Sequence, residues 1–187
     1  MMPEPKRPGA LTTMQDVELM YKNFIGAEDR YNEAGRRNFA VVIPPEDVEH
    51  MQSLGWHLRR NDAKMKVGDE WVIDPDGEPK YTLKINIAFT GFRPPTIVMI
   101  TQKGKRPLCQ KRADDTINPN EINVIQWANI SKTDLAFRPY EYEPGKFSAW
   151  LTSLYVTLEL DELAEMYEDV PDAGSGESHD DPYRGEI

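Results

Sequence analysis

A single cysteine stands among the 187 residues. Cys109 therefore has no partner for a disulfide within the chain, and the composition suits a reducing compartment. Three histidines, His50, His57 and His179, are scattered along the sequence; with only one thiol beside them they argue against a structural zinc site. No apolar run approaches the ~18 residues that a membrane span needs. The opening residues, MMPEPKRPGALTTM, lack the apolar stretch of a signal peptide, so nothing is expected to send the chain out of the cell.

Catalytic signatures are missing as well. Gly104-Lys105 lacks the upstream glycine and the following Ser/Thr of a phosphate-binding loop. There is no nucleophile elbow and no HExxH pair. Asp74-Pro75-Asp76-Gly77 has part of a calcium loop's spacing, but its glycine falls two places early and no terminal bidentate acid follows, so a turn is expected. Asp114 and Asp115 are sequence neighbours, which usually point apart, and they read as a solvated loop. No enzymatic activity, metal or cofactor is expected.

The formal net charge is −10, and all of it belongs to one end. Residues 159–187 hold eleven acids and one base, Arg184, while residues 1–158 hold 21 of each sign. The body is neutral, so overall acidity does not exclude nucleic acid, because binding follows local patches.

Pattern divides the chain into a proline-rich, polar arm (1–15) expected to be unstructured, a folded domain (16–168) and an acidic tail (169–187) with the composition of disorder. Strands are expected over 18–25, 38–43, 81–89, 96–101, 130–142 and 147–160. Asn32-Glu33-Ala34-Gly35 reads as a turn, and Glu143-Pro144-Gly145-Lys146 as a hairpin turn. A short helix is expected over 46–55, with Val48, Met51 and Leu54 on one face and Gly55 as its stop. Others are expected over 120–128 and 161–167. In the last strand Trp150, Leu154, Val156 and Leu158 share one face and read as core, with Phe147, Leu151 and Tyr155 on the other. There is no internal repeat and no βαβ alternation. A mostly β, antiparallel, five-stranded Greek-key barrel with one or two short inserted helices suits this order.

Three basic clusters interrupt the neutral body. Residues 102–112 carry Lys103, Lys105, Arg106, Lys111 and Arg112 without an acid, in a loop or ragged hairpin. Arg59, Arg60, Lys64 and Lys66 form a second cluster. Arg30, Arg36 and Arg37 form a third, beside Tyr31, Asn38 and Phe39. Lys84 projects from its strand opposite Leu83 and Ile85. Bases interleaved with rings are what a single nucleic-acid strand needs: cations meet phosphates, and aromatic faces stack bases at ~1–3 kcal/mol each. The candidate rings are Tyr31, Phe92, Tyr140, Tyr142 and Phe147, each of which has core packing as its competing role.

The pattern Asn23-Phe24-x-Gly26, then Arg30-Tyr31-Asn32-x-x-Gly35-x-Arg37-Asn38-Phe39, resembles the start of a group of bacteriophage single-stranded DNA-binding proteins. Arg138-Pro139-Tyr140, Leu151-Thr152-Ser153-Leu154-Tyr155-Val156, Asp161-Glu162-Leu163 and Tyr167 are similar to that group's C-terminal part. The resemblance implies an OB-type barrel, a role in phage DNA replication or recombination in the cytoplasm of an infected bacterium, and no catalysis. On this reading Arg30, Arg36 and Arg37 hold phosphates, and Asn38 and Arg138 also bind DNA. Tyr31, Phe92 and Tyr140 stack bases, and Lys84 with the 103–112 cluster extends the electrostatic track. The acidic tail competes with DNA or recruits phage replication or recombination proteins; no membrane partner is expected, and the oligomeric state stays open. Two other readings stand beside it: a β-rich phage structural or assembly protein acting through protein contacts, and a metal-dependent nuclease accessory using Asp74, Asp76, Asp114 or Asp115.

Overall fold

The computed structural model describes residues 7–91 and 93–159. The acidic tail, the expected helical turn at 161–167 and Phe92 lie outside the described residues. In chain order the elements are β1 (Thr12–Met14), β2 (Leu19–Asn23), β3 (Arg37–Ile43), α1 (Pro45–Ser53), β4 (Arg59–Asn61), β5 (Lys64–Val67), β6 (Glu70–Ile73), β7 (Lys80–Ile87), β8 (Thr96–Thr101), β9 (Gly104–Leu108), a 3₁₀ helix (Pro119–Ile125), β10 (Ile130–Glu143) and β11 (Lys146–Leu158).

Five of these positions close on themselves. β2, β3 and β7 form an antiparallel meander, β7 meets β11 in parallel, and β11 pairs antiparallel with β10. β10 returns to the N-terminal strand, which is split in two. Its first half, β1, pairs with β10, and its second half, β2, pairs with β3. The break falls at Asp16, whose φ is 49°; just past it Val17 N–H donates to Thr133 O at 3.0 Å. This is the strand order of an OB-type barrel.

Two details differ from the sequence expectation. The sheet is mixed, because β11 pairs in parallel with β7 and, further along, with β8. The arm expected to be unstructured contributes β1, whose Thr12, Thr13 and Met14 lie opposite Phe137, Ala136 and Leu135. Pairing outweighs its polar composition.

Alternation explains the core. In β7, Leu83, Ile85 and Ile87 point inward and Lys84 outward. They meet Phe39, Val41 and Ile43 of β3 and Leu135 and Phe137 of β10. Truncating a fully buried ring such as Phe39 or Phe137 to alanine costs about 3–5 kcal/mol. Trp56, after α1, plugs one end: its ring meets Phe137 at 5.4 Å and Phe147 at 6.4 Å between centroids. The 3₁₀ helix contributes Ile122 and Ile125, both fully buried.

The parity expected for β11 fails at one residue. Phe137 pairs with Leu151 and Ala136 with Ser153, leaving Thr152 as an extra residue in a bulge. Phe147, Ala149 and Leu151 are therefore core before the bulge, and Leu154 and Val156 after it. Trp150, expected in the core, faces outward, and Phe147, a candidate stacking ring, is buried.

Candidate nucleic-acid interface

The loop joining β2 to β3 is held by its own polar side chains. Asn23 caps it at both polarities, with Nδ2 donating to Ala27 O and Oδ1 accepting from Ala27 N–H. Asn32, nearly buried, donates to Ala27 O, Glu33 O and Arg36 O and accepts from Asn38 Nδ2 at 2.8 Å. Gly26 and Gly35 cross at the loop's base, where Gly35 N–H donates to Gly26 O at 2.8 Å. Both have positive φ, and a Cβ on Gly26 would come within 3.1 Å of the Gly35 backbone, so only glycine fits. The folded base leaves the tip to solvent: Tyr31 is 78% exposed, with the Arg30 guanidinium 5.7 Å from its ring centroid.

The arginines of this segment separate into two roles. Arg36 is exposed and pairs with Glu33 at 2.9 Å. Arg37 turns toward the 3₁₀ helix, donating to Phe24 O at 2.7 Å, Asn123 Oδ1 at 3.2 Å and Asn120 Oδ1 at 2.9 Å. Desolvation lowers its pKa from the usual arginine value. Arg37 is thus committed to joining loop and helix.

β2 is irregular where it meets this loop. A register shift separates Met20 from Asn23, and Tyr21 takes φ 50°, which is unusual for a bulky residue. The bulge re-aims the Tyr21 ring to the outside, where its hydroxyl donates to Asn61 Oδ1 at 2.7 Å. Across from it the buried Gln126 amide docks on the β2 backbone, accepting from Phe24 N–H at 2.7 Å and donating to Lys22 O at 2.8 Å. This double bond fixes the start of the next residue, Trp127, which is 80% exposed.

Tyr21, Tyr31 and Trp127 line one groove of about 550 Å³ with Lys22, Arg59 and Lys84. Its floor includes Asn38, Ala40 and Thr82 from β3 and β7. Asp29 is the acid on its lining, and its Oδ1 accepts from Tyr31 N–H. The outward face continues beyond the groove. Asn38 lies opposite Asn86, Asn86 beside Trp150, and Trp150 opposite Arg138, so these four form one row across β3, β7, β11 and β10. Tyr140, two residues along from Arg138 and 61% exposed, carries the same face toward the β10–β11 turn.

Of the residues predicted from sequence, Tyr31, Asn38 and Lys84 meet in the groove, and Arg138 and Tyr140 extend its face. Lys103, Lys105 and Arg106 belong to the β8–β9 hairpin and its turn and do not line the groove. Lys111 pairs with Asp115 at 3.6 Å, and Arg112 with Glu121 at 3.7 Å. The four acids weighed as metal ligands serve as turn caps or ion-pair partners, or are exposed: Asp74 Oδ1 accepts from Asp76 N–H, and Asp114 Oδ1 from Thr116 N–H and Oγ1. The Thr116 bonds lower the Asp114 pKa. Among the described residues there is no cluster of three or more His, Cys, Asp or Glu suited to a metal.

Sequence reasoning missed Tyr21, Trp127 and Gln126. Tyr21 reads as one more strand residue until the bulge is known. Trp127 follows a short helix whose end the sequence does not fix.

No curated protein matches this chain. Solved structures similar to it include a C-terminally truncated single-stranded DNA-binding protein from bacteriophage Enc34, at 12% identity over 81% of this chain and 88% of that one, with a TM-score of 0.42. Another is gp2.5, a single-stranded DNA-binding protein encoded by bacteriophage T7, at 12% identity over 90% and 98% of the two chains, with a TM-score of 0.30. The family described as "Putative phage ssDNA-binding domain" matches residues 6–181, nearly the whole sequence, and the chain belongs to that family.

Proposed function

We propose that this protein coats single-stranded DNA without sequence preference, protecting it during phage replication or recombination inside an infected bacterium. The observation that carries this reading is one groove holding three exposed rings, Tyr21, Tyr31 and Trp127, together with Lys22, Arg59 and Lys84. Rings stack on any base, and cations meet any phosphate, so the chemistry is indifferent to sequence. The groove sits where an OB-type barrel offers its ligand surface, on the face of the second and third strands beside the loop between the first two. The strand then crosses the row of Asn38, Asn86, Trp150 and Arg138 toward Tyr140. A duplex keeps its base faces stacked internally and cannot use these rings. The acidic tail, with its net charge of −10 from residue 159 onward, competes with phosphates for the groove or recruits replication proteins.

The test is fluorescence anisotropy of labelled oligo-dT and a matched duplex across a salt series, for the full chain and a version ending at Leu158. Single-strand binding that weakens with salt and tightens without the tail supports both parts. Flat anisotropy at low salt for both proteins would remove the coating function.

A further inference from the structure

β5 and β6 form a ribbon that pairs only with itself among the described strands. None of its eight residues is buried. Met65, Val67, Trp71, Val72 and Ile73 are all exposed, Trp71 to 68%. A lone two-stranded ribbon is marginal in water, and a patch of this kind marks a contact surface.

The register sorts the two faces. Directly opposed residues share a face, so Lys66 with Trp71 and Lys64 with Ile73 make one that holds two cations, an indole and no acid. Met65 with Val72 and Val67 with Glu70 make the other. Neither lysine has an ion-pair partner among the described residues. The ribbon's base is closed by its own flanking residues: Asp74 N–H donates to Ala63 O at 2.8 Å, and Gly77 packs so closely on Ala63 that a side chain there would collide with it. β4 runs directly into the ribbon, and Arg59 of β4 lines the groove.

We propose that the Lys64–Lys66–Trp71 face is a second single-strand contact, an arm that receives the DNA as it leaves the groove past Arg59. This rests on the groove reading above. The two lysines meet successive phosphates and Trp71 stacks a base between them. Charge and continuity favour a nucleic-acid strand over a second copy of the chain, since the face is cationic and the strand feeding it is a wall of the groove.

The experiment measures affinity of the full chain for dT oligonucleotides of increasing length, beside Trp71→Ala and a Lys64→Ala/Lys66→Ala double variant. These side chains are exposed, so an unchanged melting temperature is expected and is checked first. Short oligonucleotides that fill only the groove bind all three proteins alike. Longer ones bind the unaltered chain about tenfold more tightly than Trp71→Ala, the effect of one lost stacked base. Equal affinities at every length would overturn the arm and leave the groove reading standing. No binding of the unaltered chain at any length would overturn the groove reading itself, and the arm with it. A variant that sediments as a smaller species with unchanged DNA affinity would overturn the arm in favour of a contact between copies.

Discussion

The guanidinium of Arg59 lies over the ring of Tyr21, its Cζ 5.3 Å from the ring centroid. The hydroxyl of the same tyrosine is held by Asn61, so β4 pins a ring that the β2 bulge has turned outward. Tyr21→Phe keeps the ring and removes only the hydroxyl, and it should retain most of the DNA affinity. Tyr21→Asn tolerates the positive φ but removes the ring. Its affinity for oligo-dT, read by anisotropy, should fall by about 1–3 kcal/mol, with urea unfolding unchanged or shifted to higher stability.

Trp127 stands on the groove rim with its backbone set by Gln126. Trp127→Ala should weaken single-strand binding by about 1–3 kcal/mol at little cost in stability. Gln126→Ala leaves Phe24 N–H and Lys22 O without their partner. It should lower stability by about 1–3 kcal/mol and weaken binding as a secondary effect, both measurable on one purified sample.

Lys22, Arg59 and Lys84 line the groove. Each phosphate neutralised contributes about −0.7 to the slope of log K against log salt for a single strand. Lys84→Ala should flatten that slope by about 0.7, whereas Lys105→Ala, on the β8–β9 hairpin, should leave it as it is.

Arg37 and Arg36 are neighbours with expected effects of different size. Arg37→Ala removes two hydrogen bonds to the 3₁₀ helix and one to Phe24 O, and thermal unfolding should show a loss of about 1–3 kcal/mol. Arg36→Ala breaks an exposed ion pair with Glu33 and should change stability by less than about 1 kcal/mol.

Burial raises the Cys109 pKa above its ordinary value of 9.0, with Glu121 adding to the effect. The folded state then holds the thiol proton more tightly than the unfolded state does. Stability from this group is intact below pH 9 and declines as pH rises from there through the higher folded value. Denaturant unfolding at pH 8 and pH 10 should show a smaller loss for Cys109→Ala than for the unaltered chain. Equal losses would mean the thiol does not report on folding.

The legible parts of the sequence were those governed by local rules. The alternation of β7, α1 with its glycine stop, and the Pro144-Gly145 hairpin can each be read within ten residues, and the structure has them. Tyr31, Asn38 and Lys84 were found because turn chemistry and strand parity expose them. What escaped depends on pairing partners far along the chain. Thr12–Met14 is a strand because β10 offers it an edge. Arg37 looks like a phosphate ligand until Asn120 and Asn123, more than 80 residues later, take its donors. Basic runs are legible as charge but not as place, which is why the 103–112 cluster fell away from the groove while Arg59 joined it.

The extra residue Thr152 gives β11 a counting problem that evolution has to respect. Before it the inward side chains are odd-numbered and after it they are even-numbered, so the strand reads in two frames. A regular strand that kept every residue would lose one of them: either Trp150 would turn into the barrel, or Leu154 and Val156 would turn out to the water. The bulge absorbs the odd residue, so deleting Thr152 would put both inward sets on one alternating frame opposite the same residues of β10. A further residue kept in regular alternation there would turn one half of the strand inside out, whereas the four-residue turn from Glu143 to Lys146 could gain or lose a residue and leave both frames intact.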